Sequence, residues 1–173
     1  RRSEERLRYA LEAASDGLWD WNLMTNRVVF SPRVREIFND ASDNEGVHAA
    51  HVRTWNSRIH PDDEPLRKES LRAHLDGITP AYEHEYRLRA DSGEWKWLFV
   101  RGRVTEHKED GTPIRMIGTI TDISERKSAQ NALTRSEENY RSLFEYASDA
   151  VLLFDPTTGK VRGANEKAQL LFE

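Results

Sequence analysis

The chain contains no cysteine. That absence removes disulfides, thiolate nucleophiles and cysteine-held zinc or iron–sulfur centres. No apolar run approaches the roughly 20 residues of a membrane-spanning helix, and no signal-peptide pattern opens the sequence. The net charge of -4 is small and no basic run stands out, so neither nucleic acid nor membrane is expected as a partner. A Gly-rich phosphate loop, a Gly-x-Ser-x-Gly elbow and a spaced nucleophile–base pair are all missing. His60, Asp62 and Asp63 sit close together, but a turn and a helix start explain them without a metal. Catalysis within these residues is therefore not expected. The abrupt start and stop suggest a piece of a longer protein, and the cytoplasm is its expected location.

What the chain does have is a repeat. Ala14-Ser15-Asp16 followed by an apolar run returns as Ala147-Ser148-Asp149 followed by another, an offset of 133 residues. Each copy continues through a polar turn, Met24-Thr25-Asn26 or Thr157-Thr158-Gly159, to a basic residue and Val28 or Val161. A period this long is one domain, not a solenoid unit. The sequence thus holds one complete unit and the opening of a second.

Periodicity supplies the elements. Leu7, Leu11 and Ala14 recur at helical spacing, and Trp19, Trp21 and Leu23 then alternate with Asp20 and Asn22 as in a strand. A second short strand is expected over 27–30, a helix starting at Ser31-Pro32, and a polar loop over 40–50. Pro65 fits a first helical turn, and Gly77 fits the end of a helix that places Leu71, His74 and Leu75 on one face. Tyr82, His84, Tyr86 and Leu88 alternate with charged residues, and a second aromatic strand follows at Trp95, Trp97 and Phe99. A two-residue Ser92-Gly93 turn sets Leu88 opposite Trp97 and Tyr86 opposite Phe99, with the aromatics on one face. A last strand spans 114–123. Two short strands, helices, then three longer antiparallel strands imply an α+β domain with one sheet.

Five segments carry a family resemblance: Ser15-Asp16-Gly17 before Trp19-Asp20-Trp21, His60-Pro61-Asp62-Asp63, Glu85-Tyr86-Arg87-Leu88, Asp91-Ser92-Gly93-Glu94, and the run from Gly118 to Lys127. In this order and spacing the chain resembles a PAS domain with its C-terminal PAC motif, followed by the start of a second PAS domain. The resemblance implies a five-stranded antiparallel sheet in order 2-1-5-4-3, cupping a pocket under connecting helices. It implies an N-terminal helix over 1–14, a sensor domain over 15–123, a helical linker over 124–137 and an incomplete second domain over 138–173.

The same resemblance implies sensing rather than turnover. Trp55, Leu71, His74, Tyr86, Trp97, Phe99 and Ile117 are the candidate pocket residues, although aromatics at strand period also serve as plain core. His74 is the candidate haem ligand. Non-covalent FAD, a small organic acid or an empty core stay open, whereas flavin photochemistry through a cysteine adduct is excluded. Asp122-Ile123-Ser124 resembles the family's Asp-Ile-Thr element, which would transmit a change from strand to helix. There Ser124 is expected to cap the helix, and Asp122 to accept from helix amides or from an arginine such as Arg101 or Arg103. The helix from Ser124 to Ala147, with a break near Ser136, repeats Leu133, Tyr140 and Ala147 seven apart. That stretch is too short and too polar to indicate a coiled coil by itself. It is the resemblance that implies a homodimer through terminal helices, the alternative being two amphipathic helices that each pack on their own domain. The effector implied in the same chain is a histidine kinase or a cyclic-di-GMP cyclase or phosphodiesterase. The alternative is a ligand-free spacer that only dimerises.

Overall fold

The computed structural model describes residues 16–38 and 48–172, so the expected N-terminal helix lies outside the described residues. These residues fall into two compact units divided between Glu125 and Arg126. In the first unit the order is β1 (Gly17–Asn22), β2 (Arg27–Phe30), α1 (Pro32–Phe38), β3 (His48–His51), α2 (Val52–Asn56), α3 (Glu64–Leu75), β4 (Tyr82–Arg89), β5 (Trp95–His107) and β6 (Pro113–Asp122). The sheet runs β3-β2-β1-β6-β5-β4, and every neighbouring pair is antiparallel. Without the short β3 this is the expected five-stranded order. Part of the expected loop over 40–50 is instead this sixth strand. Its four residues pair with Arg27–Phe30, satisfying backbone groups that an edge strand would leave open.

One face of the sheet carries the core. Trp19, Val28, Phe30, Tyr82, Tyr86, Leu88, Leu98, Val100, Met116 and Ile120 are buried together with Val34, Ile37 and Phe38 from α1. Burying a side chain such as Leu98 stabilises by roughly 1.5–3 kcal/mol. At the sheet centre Gly118 pairs with Trp19 on one side and Gly102 on the other. A Cβ on Gly102 would stand 2.5 Å from the Trp19 ring, so the paired glycines make the floor on which the indole lies.

The β4–β5 register differs from the expected one. Leu88 pairs with Lys96, Arg87 with Trp97, Tyr86 with Leu98 and Glu85 with Phe99. The connecting loop has three residues, not two: the Ala90 amide donates to the Glu94 carbonyl, and Gly93 takes a φ of +86°. A left-handed residue after a tight turn is the usual geometry of such a loop. The one-residue shift moves Trp97 and Phe99 to the opposite face and puts Leu98 and Val100 in the core. On that outer face the Arg87 guanidinium lies 5.3 Å from the Trp97 ring centroid.

Helix α3 takes Pro65 in its first turn. It ends in a Schellman arrangement, with Gly77 at a φ of +75° and the Ile78 amide donating to the Ala73 carbonyl. Asp63 stands at the N-cap position but makes no side-chain cap. Its carboxylate instead accepts from the Arg87 amide, Nε and Nη2 at 2.8, 2.9 and 2.7 Å.

Helix α4 (Ser124–Glu145) leads into the second unit, which continues with β7 (Leu152–Phe154), β8 (Val161–Ala164) and α5 (Glu166–Phe172). The helix is unbroken at Ser136, where the surrounding helix formers outweigh one serine. The repeat is visible in the hydrogen bonds. Asn22 Oδ1 accepts from the Met24 and Thr25 amides, and Asp155 Oδ1 accepts from those of Thr157 and Thr158. Ser31 Oγ holds the Leu18 amide as Asn165 Oδ1 holds that of Val151. Between these two pairs the register of β7 and β8 slips, so the offset grows by one residue.

Candidate ligand cavity and sheet-to-helix junction

A cavity of about 60 Å³ lies between the sheet and α2–α3. Trp19, Trp21, Val28 and Phe30 come from the first hairpin, Trp55 and Asn56 from α2, and Arg67 and Leu71 from α3; Tyr82, Tyr86, Val100 and Ile120 complete the lining. Trp55 stacks on Phe30 with ring centroids 5.0 Å apart and meets Phe38 edge-on at 5.2 Å. Its Nε1 donates to the Tyr86 hydroxyl at 3.0 Å. Burial pushes both phenols up: Tyr86 well above the ordinary value, and Tyr82 to about 12 with some relief from Arg67. Arg67 is only 5% exposed, and its guanidinium carbon lies 6.0 Å from the Tyr86 ring centroid.

Of the residues singled out from sequence, Trp55, Leu71 and Tyr86 line this cavity, whereas His74, Trp97, Phe99 and Ile117 do not. Trp97 and Phe99 left with the register shift, and Ile117 lies on the same outer face, paired with Arg103 and Asp20. His74 is buried, but both ring nitrogens are engaged. Nε2 accepts from the Val104 amide at 3.1 Å and Nδ1 donates to the Thr79 carbonyl at 2.9 Å. Neither nitrogen is free for iron, so the residues present do not fit haem. The lining residues not singled out, Arg67 and Tyr82 above all, carried a readable signal. Arg67 precedes Leu71 and His74 at helical spacing, and Tyr82 shares the strand face of Tyr86.

The junction at the end of β6 is held by four bonds. Ser124 is the first helical residue rather than the cap, and its amide donates to Asp122 Oδ1 at 3.0 Å. The other Asp122 oxygen accepts from Lys96 Nζ at 3.1 Å, not from Arg101 or Arg103. Arg101 instead donates to the Thr119 hydroxyl. The Trp97 amide donates to Ser124 Oγ at 3.0 Å, and the Ile123 amide to the Trp97 carbonyl at 2.9 Å. Partial burial alone would raise the Asp122 pKa, but the Ser124 and Lys96 bonds hold it below the usual carboxylate value.

Comparison with known proteins places this architecture. The family profile described as "PAS fold" matches residues 27–120, and one described as "PAS domain" matches residues 138–173. The chain belongs to the PAS family. A solved PAS-type structure, a sensory box histidine kinase/response regulator from Burkholderia thailandensis, is 36% identical at a TM-score of 0.68, covering 80% of this chain and 99% of that one. Among curated proteins, the two-component sensor PprA of Pseudomonas aeruginosa is 27% identical over 76% of this chain and 15% of its own length. The probable diguanylate cyclase DgcE of Escherichia coli is 23% identical over 87% of this chain and 13% of its own. The PAS chain therefore spans a small fraction of these relatives. It is a sensory input module of the kind found in signal-transduction proteins. No described helix is long and apolar enough to cross a membrane, and no described group of three or more His, Asp or Glu is placed to hold a metal.

Proposed function

We propose that this PAS module passes a change at the cavity through the sheet to α4, and from there to an effector in the same chain. A histidine kinase or a cyclic-di-GMP cyclase fits the relatives, in whose chains the matching segments sit. The observation that carries the reading is the junction itself. The start of α4 is tied to β5 by the Trp97 amide on Ser124 Oγ, the two residues before it by Lys96 on Asp122 and the Ile123 amide on the Trp97 carbonyl, and the same strand supplies Val100 to the cavity. A shift of β5 against β6 therefore changes the direction in which α4 leaves. Leu133 and Tyr140 are exposed seven residues apart on that helix, which supports its pairing with a second copy on the cytoplasmic side. Residues 151–165 repeat the hydrogen-bond pattern of the first hairpin, and 138–173 are read as the opening of a second PAS domain.

The test is a cavity-filling Leu71→Phe substitution in the full-length protein. Basal effector output should change severalfold while the melting temperature stays within a few degrees. Unchanged output with a filled cavity would count for the spacer reading.

A further inference from the structure

We propose that the cavity takes a small carboxylate, paired with the buried guanidinium of Arg67. This rests on reading the cavity as the ligand site and names the chemistry that it selects. Four lining residues hold a buried polar atom without a hydrogen-bond partner: Trp21 Nε1, Asn56 Oδ1, Arg67 Nε and the Tyr82 hydroxyl. The Tyr82 hydroxyl lies close enough to Arg67 for a weak contact that partly offsets the effect of burial, short of a well-formed hydrogen bond. Such atoms are rare in folded interiors because their desolvation is not offset. Their gathering around one space points to a missing polar partner.

The sign of that partner follows from Arg67. Among the described residues no acidic side chain lines the cavity. The two acids at the start of its own helix are committed elsewhere: Asp63 to Arg87, and Glu64 to Lys68 at 2.8 Å. A buried cation without a counter-ion favours an anion strongly. The surrounding groups are mostly donors. Besides the guanidinium there are Trp21 Nε1, the Tyr82 hydroxyl and the Tyr86 hydroxyl, whose oxygen already accepts from Trp55. A planar, acceptor-only carboxylate matches this set and the guanidinium fork.

Size and polarity narrow the class. A space of about 60 Å³ holds only a few water-sized groups, so the acid has a short chain. Phe30, Leu71 and Val100 offer that chain an apolar wall. Asn56 calls for one further polar group, and a hydroxyl serves either orientation of its amide. A 2-hydroxy acid of about three carbons matches these four atoms in kind, its carboxylate accepting from the three donors and its hydroxyl facing Asn56.

The 173-residue chain is titrated with sodium lactate, sodium propionate, lactamide and sodium chloride at fixed ionic strength, following tryptophan fluorescence and melting temperature. Lactate should give a saturable change and bind at least about tenfold tighter than lactamide, since hydrogen bonds to a charged partner carry that much discrimination. Propionate should bind more weakly than lactate, and chloride should do nothing. Arg67→Gln should lose lactate binding, and Tyr82→Phe, which keeps the charge and the ring, should weaken it severalfold. If Arg67→Gln does not fold, Tyr82→Phe and the lactate–lactamide comparison decide. No saturable response to either acid, or full lactate binding by folded Arg67→Gln, would overturn the proposal. Lactamide binding as well as lactate would overturn the carboxylate while leaving the cavity a ligand site, and propionate matching lactate would remove Asn56 from it.

Discussion

Lys96 and Asp122 meet across the end of the sheet, Nζ to Oδ2 at 3.1 Å, at the point where β6 becomes α4. Lys96 opens the inward register of β5, opposite Leu88, so the ion pair connects the β4–β5 hairpin to the helix that leaves the domain. Neither partner is fully exposed, and Asp122 also takes the Ser124 amide. The contact thus joins two strands at the point where the helix begins.

The β4–β5 register predicts unequal effects at adjacent positions. Leu98 is fully buried, so Leu98→Ala should cost about 2–5 kcal/mol. Trp97 is on the outer face beside Arg87, so its replacement by alanine should cost less, its cation–π contact being worth about 0.5–1 kcal/mol. Urea unfolding of the two variants orders them. A larger loss for Trp97→Ala would mean that the register is wrong.

The glycine floor under Trp19 gives a second outcome. Gly102→Ala should destabilise by about 1–3 kcal/mol through overpacking against the indole. Pairing it with Trp19→Phe should recover part of that loss in a double-mutant cycle. Independent, additive losses would separate the two sites.

Asp63 should make the domain sensitive to acid. The Arg87 hydrogen bonds hold its carboxyl below the unfolded value of 3.8, against a smaller opposing effect of burial. Its contribution is therefore complete above that value and disappears as the pH falls through the lower folded value. Asp63→Asn should cost about 1.5–3 kcal/mol at pH 7, and the gap from wild type should shrink below about pH 4. A gap that persists at low pH would show that the charge is not what matters.

Tyr82 should act at the other end of the scale. Its pKa is raised by burial to about 12, so the unfolded chain releases this proton first. Stability should fall as the pH rises from 10 toward 12, and Tyr82→Phe should flatten that slope. Denaturant titrations at pH 9 and 11 provide the check.

Much of the fold was legible because its signals are local. Period-two spacing put Trp19 and Trp21 on one strand face, of which Trp19 is buried, and Gly77 and Pro65 marked the ends of α3. The β4–β5 register was not, because β5 is apolar on both faces. Trp97 and Phe99 look as inward as Leu98 and Val100 until the Gly93 conformation sets the loop length. Helical spacing set His74 on one face with Leu71 and Leu75, but its partners Thr79 and Val104 come from tertiary packing that this spacing does not reveal. Arg67 was overlooked because a charge within a charged helix looks solvated. Only the packing of Tyr82 and Tyr86 against it turns it inward.

The most direct test of coupling between sheet and helix is the effector output of the full-length protein carrying Asp122→Ala, measured beside the melting of the 173-residue chain. Loss of the ion pair and the Ser124 bond should cost about 1–2 kcal/mol, leaving the domain folded. Output should nevertheless be displaced severalfold from wild type. Wild-type output from the folded variant, or a change fully explained by unfolding, would contradict the coupling and leave the junction an ordinary turn.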